Sequence, residues 1–193
     1  MKRIKRIFYV LMLLAMPSAA LTIEHAKSFI EDLGRRAITT LTSGHKSDEE
    51  LGKEFLSLLD EGFDVPAIGK FTLGRYWRQA TPEQQADFLK VFRNRLKQSY
   101  ANRFREYKGV KFVVKDGRKE ADGGVVITST IQKPGGPVVH VTWKVYDNKA
   151  GVPKIYDVTV DGISMSVSLR DDYAAAISNN GGDVGKFISS MKK

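Results

Sequence analysis

The chain has 193 residues, 42% of them hydrophobic, and a formal net charge of +9 from 31 Lys+Arg against 22 Asp+Glu. That length predicts one domain with a sizeable core. The absence of cysteine excludes a disulfide scaffold, a thiolate metal site, a cysteine nucleophile and lipid attachment to an N-terminal cysteine.

The first twenty residues read as an export signal. Lys2, Arg3, Lys5 and Arg6 form a positive region, and Ile7 to Met16 is an apolar stretch too short to span a bilayer. Pro17-Ser18-Ala19-Ala20 follows, with small residues placed for cleavage after Ala20. The expected organisation is a signal peptide over 1–20 and a single domain over 21–193, exported to the periplasm of a Gram-negative bacterium. Removing 1–20 takes away four basic and no acidic groups, so +9 becomes +5. Anionic lipid surfaces or acidic proteins suit this charge in that compartment, and nucleic acid is not an expected partner.

Taken in order, the mature chain begins with helices. Thr22 is placed to cap a first helix, whose Ile23, Ala26, Ile30, Leu33, Ala37 and Leu41 keep steps of three and four. Ser47 with Glu50 is a capping box for a second helix, with Leu51, Phe55, Leu58 and Leu59 on its inner face and Gly62 at its end. Asp64 caps a short third helix that carries Ile68 and Leu73 and closes at Gly74. Thr81-Pro82-Glu83-Gln84 is a strong start for a long fourth helix: hydroxyl at the cap, proline first, glutamine three residues on. Phe88, Phe92, Leu96, Tyr100 and Phe104 recur every fourth residue, broadened by Leu89, with Lys90, Arg93, Arg95, Lys97, Arg103 and Arg105 between them.

At Gly109 the apolar period falls to two. Strands are predicted over 110–114, 125–131, 138–146 and 154–160, with turns at Asp116-Gly117, Pro134-Gly135-Gly136-Pro137 and 147–151. On the fourth strand Tyr156, Val158 and Val160 are expected to face opposite to Ile155, Asp157 and Thr159. Connections this short demand antiparallel pairing. Asp161-Gly162 ends the sheet. A helix with Leu169, Tyr173 and Ile177 on one face follows, then a short last helix capped by Asp183. The predicted fold class is α+β: N-terminal helices (about 22–108) packed on a strongly bent four-stranded antiparallel meander (about 109–161), with C-terminal helices (about 165–192).

Catalytic signatures are sparse. His25, His45 and His140 lack metal-ligand spacing, and no Gly-x-Ser-x-Gly occurs. Gly181-Gly182-Asp183-Val184-Gly185-Lys186-Phe187 fails as a phosphate loop, because its glycines are too close and Phe187 replaces the Ser or Thr that binds Mg²⁺. Asp157 or His140 are the candidates for an exported enzyme of the cone-shaped α+β class. What stands out is apolar material. Leu73, Tyr76, Trp77, Phe88, Phe92, Leu96 and Tyr100 come from the helices, and Val139, Val141, Trp143, Val158, Val160, Ile163 and Met165 from the sheet and its exit. If these faces pack shut they are a core and the protein is an interaction adaptor. If they stand apart they enclose an oily cavity able to hold an acyl chain or a sterol.

Two stretches resemble the MlaC, or toluene-tolerance, family. One is Leu73-Gly74-Arg75-Tyr76-Trp77-Arg78-Gln79-Ala80-Thr81-Pro82-Glu83-Gln84-Gln85, continuing through Phe88, Phe92-Arg93 and Leu96 to Tyr100. The other runs from Tyr156-Asp157-Val158 to Asp161-Gly162-Ile163-Ser164-Met165. The resemblance extends over essentially all of 22–193, with Trp77 where the family more often carries another aromatic. It implies a non-enzymatic, monomeric periplasmic carrier of phospholipid that maintains outer-membrane lipid asymmetry, with the fourteen residues above lining a lipid cavity. It implies no resident cofactor, only phospholipid as cargo. The implied partners are an inner-membrane ABC transporter complex and an outer-membrane lipoprotein–porin complex. It also leaves Arg75, Arg78, Arg93 and Arg170 as candidates to meet anionic headgroups or acidic docking surfaces.

N-terminal analysis of the protein recovered from the periplasm is expected to begin at Leu21; a chain that keeps Met1 would make the segment an anchor instead.

Overall fold

The computed structural model describes residues 21–43, 46–101 and 107–192. The expected signal peptide, His45, Arg103, Phe104 and Arg105 lie outside the described residues.

The helices start where their caps dictate. α1 (Ile23–Leu41) is capped by Thr22, whose hydroxyl accepts from the His25 N–H. α2 (Asp48–Gly62) and α4 (Pro82–Tyr100) each carry a full capping box, Ser47/Glu50 and Thr81/Gln84. Two donors left over by the first turn are satisfied in each box. α3 (Val65–Leu73) starts at Asp64. A 3₁₀ turn over Gly74–Arg78, not anticipated from the sequence, links it to α4.

Strands β1 (Lys111–Lys119), β2 (Val125–Gln132), β3 (Val138–Asp147), β4 (Pro153–Val160) and the two-residue β5 (Ile163–Ser164) pair in sequence order, all antiparallel. The sheet thus has five strands, not four. α5 (Met165–Asn179) and α6 (Val184–Met191) complete the chain.

Two irregularities depart from simple alternation. Asp116-Gly117 is not a turn: β1 runs through it, and Lys115 and Asp116 together face Thr128 as a bulge. The Thr128 hydroxyl pairs with both the N–H and the C=O of Asp116 at 3.2 Å, which supplies the partners that the disrupted ladder lacks. On β4 the extra residue is Tyr156, since Val145 faces Ile155 while Lys144 faces Asp157. This bulge overturns the expected facing of the strand. Ile155 pairs with Val145 and Val158 with Trp143, so both belong to the inner face; Tyr156 and Asp157 are turned to the outer one.

The bulge residues are then used as joints. The Tyr156 hydroxyl donates to Asp64 at 2.9 Å, tying β4 to the cap of α3. Burial, with help from that carboxylate, pushes the phenol up to about 12. The Asp157 carboxylate accepts from the Ser164 hydroxyl at 2.6 Å, the Ser166 N–H at 3.1 Å and the Ser166 hydroxyl. It anchors the first turn of α5.

Buried side chains form two clusters. One lies among the helices: Leu51, Leu73, Tyr76, Phe88, Val91, Phe92, Ile177, Phe187 and Ile188, with Tyr173 packed against it. Tyr173 meets Phe88 and Phe92 edge-on, with centroids 6.0 and 6.4 Å apart. Burial pushes its hydroxyl up to about 12. The other joins α1 to the sheet through Leu21, Ala26, Ile30, Leu33, Val125, Ile127, Val145 and Ile155.

Phe88 is fully buried at the centre of the helical cluster. Phe88→Ala is expected to cost about 3–5 kcal/mol, read as a lower urea midpoint at unchanged slope. A cost below about 1 kcal/mol would show that the helices are not closed around it.

Candidate functional site

Between the two clusters the packing does not close. α1 lies along β1, α2 crosses beside it, and a cavity of about 280 Å³ remains between these helices and the inner face of the sheet. α1 supplies Ile30, Leu33, Gly34, Ala37, Ile38 and Leu41. α2 and its exit supply Phe55, Leu58, Leu59 and Phe63, while the sheet and its approach supply Tyr107, Val110, Phe112, Ile131 and Trp143, and Tyr100 comes from the end of α4. Among the described residues, no lining side chain is charged. The Trp143 indole N–H donates to the Ser129 hydroxyl at 2.8 Å.

Close backbone approach sets the walls. A Cβ on Gly34 would sit 2.3 Å from the Phe112 ring, so glycine is what lets α1 rest on β1. A Cβ on Gly62 would sit 2.4 Å from Leu33, so the end of α2 is drawn against α1 in the same way.

Charged groups brace the outside of the cavity. The Arg36 guanidinium on α1 grips Glu61 on α2, with one contact at 2.9 Å. Arg93 on α4 takes Asp60, with one contact at 2.9 Å. Lys154 on β4 donates to the Asp60 and Glu61 carbonyls at 2.8 and 2.6 Å, satisfying acceptors that the end of α2 leaves open. The side-chain hydrogen bond from Arg36 holds the Glu61 carboxyl below its usual range. Among the described residues no group of three or more His, Cys, Asp or Glu is placed to hold a metal. No described helix is long and apolar enough to cross a membrane.

The family described as MlaC protein matches residues 31–193. The chain belongs to the MlaC family. "Toluene tolerance protein ttg2D" of Pseudomonas putida is 34% identical over 130 residues, which is 65% of this chain and 58% of that protein. The "Intermembrane phospholipid transport system binding protein MlaC" of Haemophilus influenzae is 26% identical over 129 residues, 65% of this chain and 59% of that one. The chain therefore spans under two thirds of the length of these curated relatives. A solved phospholipid-binding protein from Ralstonia solanacearum, in complex with a phospholipid, superposes with a TM-score of 0.73 at 24% identity. The match covers 86% of this chain and 94% of that one, and at such identity it speaks for the fold.

In this MlaC-family member the fourteen residues expected at a lipid site are dispersed. Tyr100 and Trp143 line the cavity. Leu73, Tyr76, Phe88 and Phe92 are buried in the helical cluster, with Trp77 and Leu96 packed against it. The wide apolar face of α4 is covered by the neighbouring helices, α3 and α6 among them, and not by the sheet. Val158 packs on the α1–sheet cluster. Val141 is buried beside Ser129 and Val160. Val139, which pairs with the lining residue Ile131, and Val160 and Met165 are half-buried but not part of the lining, and Ile163 is 60% exposed at the sheet edge. The α1 and α2 stripes were legible as apolar faces. Their role as cavity walls was not, because periodicity marks which residues turn inward and not which inward faces meet.

Arg75 and Arg170 lie over Tyr76 and Phe71, each 4.9 Å from the ring centroid.

Because the folded-state pKa of Glu61 is depressed, its contribution to stability is present above the ordinary carboxylate range and is lost as pH falls through the depressed value. The pair is largely exposed, so Glu61→Gln is expected to cost under about 1 kcal/mol near neutrality and nothing in strong acid. Urea midpoints of both proteins across acid pH check this; an equal gap at every pH would rule the charge out as its cause.

Proposed function

We propose that this protein is a periplasmic phospholipid carrier, moving lipid between the outer and inner membranes with its acyl part held in the cavity between α1, α2 and the sheet. The observation that carries the reading is the chemistry of the wall. Among the described residues sixteen line it, none of these is charged, and their polar side-chain groups are two tyrosine hydroxyls and a tryptophan N–H already bonded to serine. Such a wall favours hydrocarbon.

The energetics fit a carrier. Each methylene moved out of water gains about 0.8 kcal/mol, so a lipid with roughly thirty of them gains over ~20 kcal/mol gross. A bilayer offers the same gain, so net transfer between membrane and protein lies near zero and can run either way. Headgroup selectivity is weak, since the headgroup stays in water. The cavity volume lies near the lower end of small-molecule sites, about 300–1,000 Å³, so taking a whole lipid widens it at the Tyr100 end. The name of the relative from Haemophilus influenzae supports the same reading. The proposed partners are an inner-membrane ABC transporter complex and an outer-membrane lipoprotein–porin complex.

Native mass spectrometry of protein purified without detergent is expected to show a diacyl phospholipid adduct. Ala37→Glu places a carboxylate in the wall and is expected to abolish the adduct, since a bare buried charge costs several kcal/mol. Ile163→Glu, on an exposed edge, is expected to leave it unchanged. Lipid retained by a folded Ala37→Glu protein would place the site elsewhere, and a wild type that neither carries lipid nor takes it from vesicles would end the carrier reading.

A further inference from the structure

The cavity has two unlike ends. One is bordered by Tyr100 and Tyr107, where Tyr100 is 40% exposed and Lys108 and Gly109 beside Tyr107 face solvent. At the other, Ile30, Leu33 and Trp143 belong to or pack against the α1–sheet cluster, whose Val125, Ile127, Val145 and Ile155 have no exposure at all. A chain entering past Tyr100 therefore runs toward Trp143 and a sealed core.

Trp143 is held there by a hydrogen bond and by ring and strand neighbours. It stands between Ile127 and Val158 on the neighbouring strands. Its indole N–H is bonded to the hydroxyl of Ser129, which is 2% exposed. Its ring meets Phe112 edge-on, with centroids 6.4 Å apart at 85°, and Phe112 in turn lies on Gly34. Packing alone would be served by an aliphatic side chain. A buried serine spent on orienting an indole fixes where the wall stands.

We infer that Trp143 sets the length of acyl chain this protein accepts: the indole, pinned by Ser129 and Phe112, is the floor against which the terminal methyl stops. This rests on the carrier reading above and specifies its ligand, a long-chain acyl group entering methyl first with its ester at the Tyr100 end. Each methylene beyond the floor's limit is left at the mouth in water and is disfavoured by about fourfold.

The protein has two tryptophans. Trp77→Phe removes the one outside the cavity and leaves Trp143 as the sole indole. This protein is loaded from phosphatidylcholine vesicles whose stearoyl chains carry bromine either near the terminal methyl or near the carbonyl, and loading is confirmed by extraction. The methyl-end label is expected to quench Trp143 severalfold more strongly. Equal or reversed quenching with lipid bound would overturn the floor while leaving the carrier intact; no lipid bound would remove both. In parallel, Trp143→Ala and Trp143→Phe are offered vesicles of mixed chain lengths. The alanine variant is expected to shift the extracted chains to longer lengths and the phenylalanine variant to shift them less. An unchanged distribution in the folded alanine variant would overturn the inference, and if that variant does not fold, the quenching order decides it.

Discussion

The contact of Gly34 with the Phe112 ring fixes how closely α1 lies on the sheet, and much of the molecule is arranged around that approach. Where α1 touches β1 the helix and sheet seal into a core, with Ala26 and Ile30 against Val125 and Ile127. Toward the end of α1, Ala37, Ile38 and Leu41 line the cavity, while Leu41 and Ala37 also join the helical cluster. A larger residue at Gly34 would lift the helix along its length and change core and cavity together.

α2 is the second fixed body. Its far end is held by Arg36, Arg93 and Lys154, from three different elements, and by the close fit of Gly62 under Leu33. Exposed ion pairs are individually weak. Their value here is geometric, since they converge on Asp60 and Glu61 and so hold one wall of the cavity in register with the other. The parallel bridge of Phe63 to Ile155 and the hydrogen bond from Asp64 to the Ile155 carbonyl continue the same junction into the sheet. A cavity next to a well-packed core needs such bracing, because apolar walls left alone gain by collapsing together.

Separating a closed core from an open cavity also divides the chemical labour. The aromatic cluster of Phe88, Phe92, Tyr173 and Phe187 stabilises the helical half without touching the cavity. The cavity wall is free to be apolar, as the proposed carrier role asks. Asp157, with His140 one of the two residues considered for catalysis, forms a joint between β4 and α5.

The sequence by itself determined the elements. Capping boxes, proline at a first helical position and the change of period at Gly109 are local signals, and the helices start where they predict, whereas β1 runs on through the expected turn at Asp116-Gly117 and the short β5 was not foreseen. It also determined the antiparallel order, because short turns permit nothing else. Only the tertiary structure decided the facing of β4, since a bulge at Tyr156 leaves no mark in the alternation until the strands are paired. Only the tertiary structure decided which apolar faces meet each other and which meet empty space. The stripe of α4 looks as fit for a cavity wall as those of α1 and α2, yet α4 is covered by helices while α1 and α2 stand over the sheet. A hydrophobic pattern records that a side chain leaves water, and the hydrophobic effect is non-directional, so nothing in the pattern says what the side chain turns toward.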